Sequence, residues 1–204
     1  MLYVKLIGMN RILSLMLPLG LSLGLLACES KTQTEENITD EHQHHTSVPE
    51  DVDLNTTKSI PREAHGQVGD SHVTIQYSSP GVRGRVIWGG LVAYDQVWVT
   101  GAHQATKITF SAPVKIAGKM IPQGTYALFS IPSQESWTLI LNRNWEQHLA
   151  DEYDQEDDLI RIITTPTEIE LEERLIYEIQ NTGDGKGRIK IAWENKAVYL
   201  DLEA

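Results

Sequence analysis

The 204-residue chain has a single cysteine, Cys28. That excludes internal disulfides, cysteine-rich zinc sites and Cys-x-x-Cys redox chemistry. Basic residues are also scarce, with 17 Lys+Arg against 28 Asp+Glu and a net charge of -11. Such a balance argues against nucleic-acid binding, which depends on neutralising phosphates and releasing their counterions. Beyond residue 70 there is no Gly-x-Ser-x-Gly elbow, and Gly183-Asp184-Gly185-Lys186-Gly187 lacks the lysine-serine pair of a phosphate loop. No cofactor or metal site is assigned. What the chain does have is 41% apolar residues, enough for the core of one domain with an appendage.

The apolar run Ile12–Ala27 is too short for a membrane span and is broken by Pro18, Gly20 and Gly24. With Lys5 and Arg11 ahead of it, it reads as a signal-peptide core over residues 1–27. Leu25-Leu26-Ala27-Cys28 resembles the bacterial lipobox, in which the cysteine thiol takes a diacylglyceryl thioether and becomes the new N-terminus. Stable anchoring needs more than one acyl chain, because each buried methylene contributes only about 0.8 kcal/mol. Cys28 is therefore the expected lipidation site, and a membrane the expected partner. An ordinary leader followed by a buried cysteine is the competing reading, disfavoured by the polar sequence that follows.

Residues 28–70 are acidic, nearly devoid of aromatics and rich in Thr, Ser, Gln and Asn. Such a segment cannot offset its ordering entropy by burial, so a flexible tether is expected. His42, His44 and His45 lie within it beside Asp40 and Glu41. Without a scaffold they read as a solvated run rather than a metal site.

From residue 71 onward the pattern changes to period two in short runs separated by Gly, Pro, Asn and Asp, the pattern of an antiparallel β-sandwich or barrel. Val73, Ile75 and Tyr77 share one face, as do Ile108 and Phe110, Val114 and Ile116, and Trp137, Leu139 and Leu141. Tyr126, Leu128 and Ser130 oppose Ala127, Phe129 and Ile131. Further strands are predicted over residues 159–164, 168–171, 175–179, 189–193 and 197–202. At most one short helix is predicted, near residues 145–153. The acidic run from Asp151 to Asp158 fails the EF-hand spacing and reads as a solvated loop. Residues 183–187 read as a hairpin turn.

Between Tyr77 and Thr106 the chain gathers aromatic rings beside planar hydrogen-bonding groups. Rings supply flat apolar contact while Arg or Gln fixes orientation, a combination suited to a sugar or peptide. Arg83, Arg85, Tyr94, Trp98, Thr100, His103 and Gln104 are the candidate ligand-binding residues. Two plainer readings compete: Trp88 and Trp98 as packing, and Arg85 paired with Asp95 to hold a loop. No catalytic residue is assigned. The enzymatic alternative is a hydrolase with His103 as base, Asp95 as its partner and Arg85 stabilising an anion.

Several elements of this segment recur as a set: Tyr77-Ser78-Ser79-Pro80, Gly84-Arg85, Gly90-Leu91-Val92, Val97-Trp98-Val99-Thr100-Gly101-Ala102-His103, Ala105-Thr106 and Pro122-Gln123-Gly124-Thr125-Tyr126-Ala127-Leu128-Phe129. Together they resemble the domain of unknown function 2911 family over residues 70–202. The resemblance implies an envelope protein of a Gram-negative bacterium and carries no established activity. Val99 and His103 stand where that family usually has arginine and asparagine. Combined with the lipobox, the expectation is a non-catalytic envelope lipoprotein, anchored to the outer membrane, that binds an envelope glycan or protein or plays a structural part there.

Overall fold

The computed structural model describes residues 59–204. The signal peptide, Cys28 and the greater part of the predicted tether lie outside the described residues.

Two antiparallel sheets form the domain. One has the order β1 (Ile60–Val68), β2 (Ser71–Ser79), β3 (Lys107–Phe110), β6 (Gly124–Pro132), β7 (Trp137–Asn142) and β8 (Asp158–Thr164). The other has the order β5 (Lys119–Ile121), β4 (Val114–Ile116), β10 (Lys186–Glu203) and β9 (Thr167–Gly183). Alternation decides which face is buried. Val73 and Ile75 on β2 pack with Leu139 and Leu141 on β7 and with Ile189, Ile191 and Leu200 on β10 in one core. The expected antiparallel sandwich is the fold.

Tight turns close the hairpins where left-handed backbone is needed. Ala117 and Gly118 both have positive φ between β4 and β5, as do Asp184 and Gly185 between β9 and β10. These are the two-residue turns whose twist matches that of paired strands. The Gly-Asp-Gly-Lys run is therefore a hairpin end.

Three expectations are corrected. The tether does not extend to Asp70, because Ile60–Val68 forms β1, paired in register with β2 from Ile60↔Ser79 to Val68↔Ser71. Its alternation was hidden because Arg62, Ala64 and Gly66 occupy the inward positions between Ile60 and Val68 in place of large apolar side chains. A Cβ on Gly66 would lie 2.3 Å from Ile179 Cγ2, so glycine is what lets β1 lie close against β9.

Residues 145–153 are turns rather than a helix, and the helical element among the described residues is the short 3-10 turn Gln155–Asp157. The reason is that the loop's polar groups are committed elsewhere. Leu149 N–H donates to the His103 carbonyl at 2.6 Å. Asn142 donates to Asp154 O and accepts from Asn144 N–H, both at 2.9 Å, holding the two ends of the loop together. Asp154 and Asp158 of the acidic run are also engaged, the first capping the 3-10 turn and the second bonding Tyr153, Asn142 and Arg161.

Finally, the segments predicted as two short strands on each side of residues 172–174 and 194–196 are continuous in β9 and β10. Pairing slips between Ala192 and Glu194 and again between Glu194 and Lys196, and Glu194 has φ +54. The bulge turns the Glu173–Leu175 backbone toward the chain leaving β2: Val82 N–H donates to Glu173 O and Leu175 N–H to Pro80 O.

Candidate functional site

β6 is buried on both faces, with Ala127, Leu128 and Phe129 fully covered. Leu128 faces the main core. Ala127 and Phe129 join Ile140, Val99 and Ala105 in a second, smaller core, with Trp145, Ala150 and Tyr153 packed against it. This second core is what fixes the irregular segment 95–106. Its backbone also runs alongside the end of β6 that β3 leaves unpaired: Asp95 N–H donates to Pro132 O, Trp98 and Ser130 exchange both backbone bonds, and Leu128 N–H donates to Thr106 O. A run without a regular strand is thereby attached to the sheet by backbone bonds.

Thr100 lies at the turn of this segment with φ +50, an unusual conformation for a β-branched residue, and is fully buried. Polar contacts hold it there. Its hydroxyl donates to Ser130 Oγ at 2.9 Å, and its carbonyl accepts from Tyr177 OH at 2.6 Å and Thr106 Oγ1 at 3.1 Å. Burial pushes the Tyr177 phenol well above its ordinary pKa of 10.0, so the group is a neutral donor. Next to it, Gly101 is required by close approach, since a Cβ there would sit 2.7 Å from Thr106 Oγ1. Trp98 is locked by its own turn, its indole N–H donating to Gly101 O at 3.0 Å.

Four of the five tryptophans form one cluster. Trp88 packs edge-on to Trp137, Trp98 and Trp193 at 4.7–5.9 Å between centroids, and Trp98 stacks on Trp193 at 5.7 Å. The packing reading of Trp88 and Trp98 is correct, although both lie in loops rather than strands.

Trp98 also has a second surface. Beside the cluster opens a cleft of about 460 Å³, within the usual size of small-molecule sites. Its base is Trp193, at 1% exposure, with Val92, Val99 and Trp98. Leu91 and Leu149, 51% and 39% exposed, stand at its edge. Its charged and titratable lining consists of Arg83, Arg85 and His103. Val99 and His103 belong to this lining. So do three non-glycine residues of positive φ: Arg83, His103 and Leu149.

The Arg85 guanidinium is held by backbone carbonyls, and Arg83 is fixed through its own backbone N–H. Arg85 donates from Nη2 to Gly81 O at 2.6 Å and from Nε to Val82 O at 3.2 Å. Arg83 N–H donates to Glu173 Oε1 at 2.8 Å. Among the described residues neither guanidinium has a carboxylate in ion-pair range. The expected Arg85–Asp95 pair is therefore not formed. Asp95 accepts instead from the Ser133 hydroxyl and is not part of the cleft lining. Arg85 and His103 share a cleft whose lining does not include Asp95.

The remaining candidates are distributed elsewhere. Thr100 is buried scaffold. Tyr94 packs on Gly89, where a Cβ would come 2.8 Å from the ring, and lines a neighbouring depression with Arg85, Trp88 and Asn195. Gln104 faces a different depression, of about 570 Å³, beside Arg62, Glu63 and Lys107. Sequence reasoning missed Leu91, Leu149 and Trp193. The last comes from β10, far downstream of Arg83 and His103 in sequence, and only the fold brings it there.

Residues 59–202, almost the whole of the described domain, match the family described as Protein of unknown function (DUF2911). The chain belongs to this family. No curated protein and no solved structure is significantly similar to it. The boundary of the family match coincides with the start of β1, one residue later, so β1 belongs to the DUF2911 unit.

Proposed function

We propose that this DUF2911 chain is a bacterial envelope lipoprotein whose sandwich is a binding module. Cys28 carries the lipid after removal of residues 1–27, anchoring the protein to the outer membrane. The domain takes a small molecule, or the terminal group of a larger envelope partner, into the cleft beside the tryptophan cluster. The observation that carries this reading is the convergence of Arg83, Arg85, Trp98 and His103 on one cleft over an apolar base. Scaffold bonds account for Thr100 and for the indole N–H of Trp98, but not for the faces that Trp98, Arg83 and Arg85 present to the cleft.

Binding without turnover fits the lining, which among the described residues has one histidine and no acid to orient it. Mass spectrometry of the native product tests the anchor: the expected mass starts at Cys28 and includes a diacylglyceryl thioether and an acylated amine. A bare thiol with the leader still attached contradicts it. Saturable binding to the full chain that is weakened by Leu91→Asp tests the cleft.

A further inference from the structure

The chemical class of the ligand follows from the contrast between the cleft and the rest of the molecule. The chain carries a net charge of -11, yet among the described residues no Asp or Glu lines this cleft, while two arginines and a histidine do. Glu173, the carboxylate at the Arg83 end, accepts the Arg83 backbone N–H. Arg174 lies next to Glu173, outside the cleft lining. It is held to Ser79 O at 3.1 Å, and its pKa is lowered by desolvation first and then by the charges of Arg62 and Arg83, with Glu173 opposing.

Arg83 and Arg85 line the same cleft, and like charges that share a site disfavour each other unless a counter-charge is present. Among the described residues the nearest acid, Glu173, bonds the Arg83 backbone rather than either guanidinium, and Arg85 commits two of its five N–H donors to carbonyls, which orients the fork toward the cleft. The other half of the cleft is apolar, from Trp193 and Val92 at the base to Leu91 and Leu149 at the edge.

We propose that the cleft binds an amphiphilic anion: a single carboxylate or phosphate head on Arg83 and Arg85, with an apolar body against Trp98, Trp193 and Leu91. The proposal rests on the binding-module reading above and specifies its ligand. A charged head fixed by a planar fork gives orientation, and removal of the body from water supplies the remaining affinity. A neutral glycoside would satisfy the rings but leave the arginines without a counter-charge.

The test is calorimetric titration of the full chain in nanodiscs of zwitterionic lipid, with empty nanodiscs as the blank. The probes are octanoate, octyl phosphate and octyl glucoside. Saturable binding of at least one of the two anions, with octyl glucoside at least tenfold weaker, is expected. Tighter binding of octyl phosphate assigns a phosphate head, and tighter binding of octanoate a carboxylate head. Arg83→Gln is expected to weaken the anion about tenfold while leaving the thermal midpoint and octyl glucoside binding unchanged. Arg85→Lys, which keeps the charge without the fork, is expected to retain part of the affinity.

Equal or tighter binding of octyl glucoside overturns the anion proposal while the cleft remains a binding site. Anion affinity indifferent to Arg83→Gln in a folded variant also overturns it. If none of the three probes binds saturably, the anion proposal and the binding-module reading both fall.

Discussion

The sandwich and the loop-built end that carries the cleft are made by different means from one chain. In the sandwich, backbone groups pair with neighbouring strands and large apolar side chains alternate inward, so any one side chain is supported by many others. At the cleft end, residues 80–106 and 143–154 use left-handed residues at Arg83, Asp95, Thr100, His103 and Leu149, and individual hydrogen bonds replace the ladder. A ladder tolerates substitution on its solvent face. A segment held by a few polar contacts presents side chains that the ladder would have turned outward or buried, which is why the cationic cleft occurs there.

Substitutions can break this contrast at either end. Trp193→Ala should have the largest effect, because the ring belongs to the core and to the cleft base at once. About 3–5 kcal/mol of stability is expected to be lost, measured by urea unfolding, together with all cleft binding. Gly101→Ala comes next: its Cβ would meet the Thr106 hydroxyl at 2.7 Å, and a loss of about 1–3 kcal/mol should accompany local disturbance of the Trp98 turn while the sheets persist.

Tyr177→Phe removes one bond to Thr100 O but leaves that of Thr106, so about 1 kcal/mol is expected. The same residue gives a pH signature. Its folded pKa is raised above the ordinary 10.0, so its contribution is fully present below pH 10 and is lost as pH rises from there toward the folded value. The wild-type chain should lose stability above about pH 10. Tyr177→Phe should flatten that decline but not abolish it, since burial also raises Tyr77, Tyr126 and Tyr153. Arg83→Gln should have the smallest effect on stability, with an unchanged unfolding midpoint, despite its effect on ligand.

How far each region could be read in the sequence follows the same division. Val73, Ile75 and Tyr77, or Leu139 and Leu141, mark their strands because a half-buried strand requires alternation. β1 escaped notice because its half-buried inward positions include Arg62, Ala64 and Gly66, which carry little hydrophobic signal. β9 and β10 were read as interrupted because the interruption is a bulge, a matter of pairing rather than of composition. At the cleft, Arg83, Arg85, Trp98 and His103 were identifiable because cations and aromatics cluster within a short stretch. Gln104 and Tyr94 were grouped with them by proximity in sequence, but the left-handed turn at His103 and the ring contact at Gly89 direct them to other surfaces. Leu149 and Trp193 reach the cleft through tertiary contacts, to which no local pattern points.

The central claim, that the loop-built end is a ligand cleft floored by tryptophan, is tested most directly by the indole N–H spectrum of the full chain in nanodiscs during titration with octanoate or octyl phosphate. Trp98 and Trp193 line the cleft, whereas Trp145 lies under Lys107, 4.4 Å from its ring centroid. Saturable shifts of the Trp98 and Trp193 signals with a stationary Trp145 signal are expected. Trp145 shifting as much as Trp98, or no saturable shift in any of the five, would contradict the account.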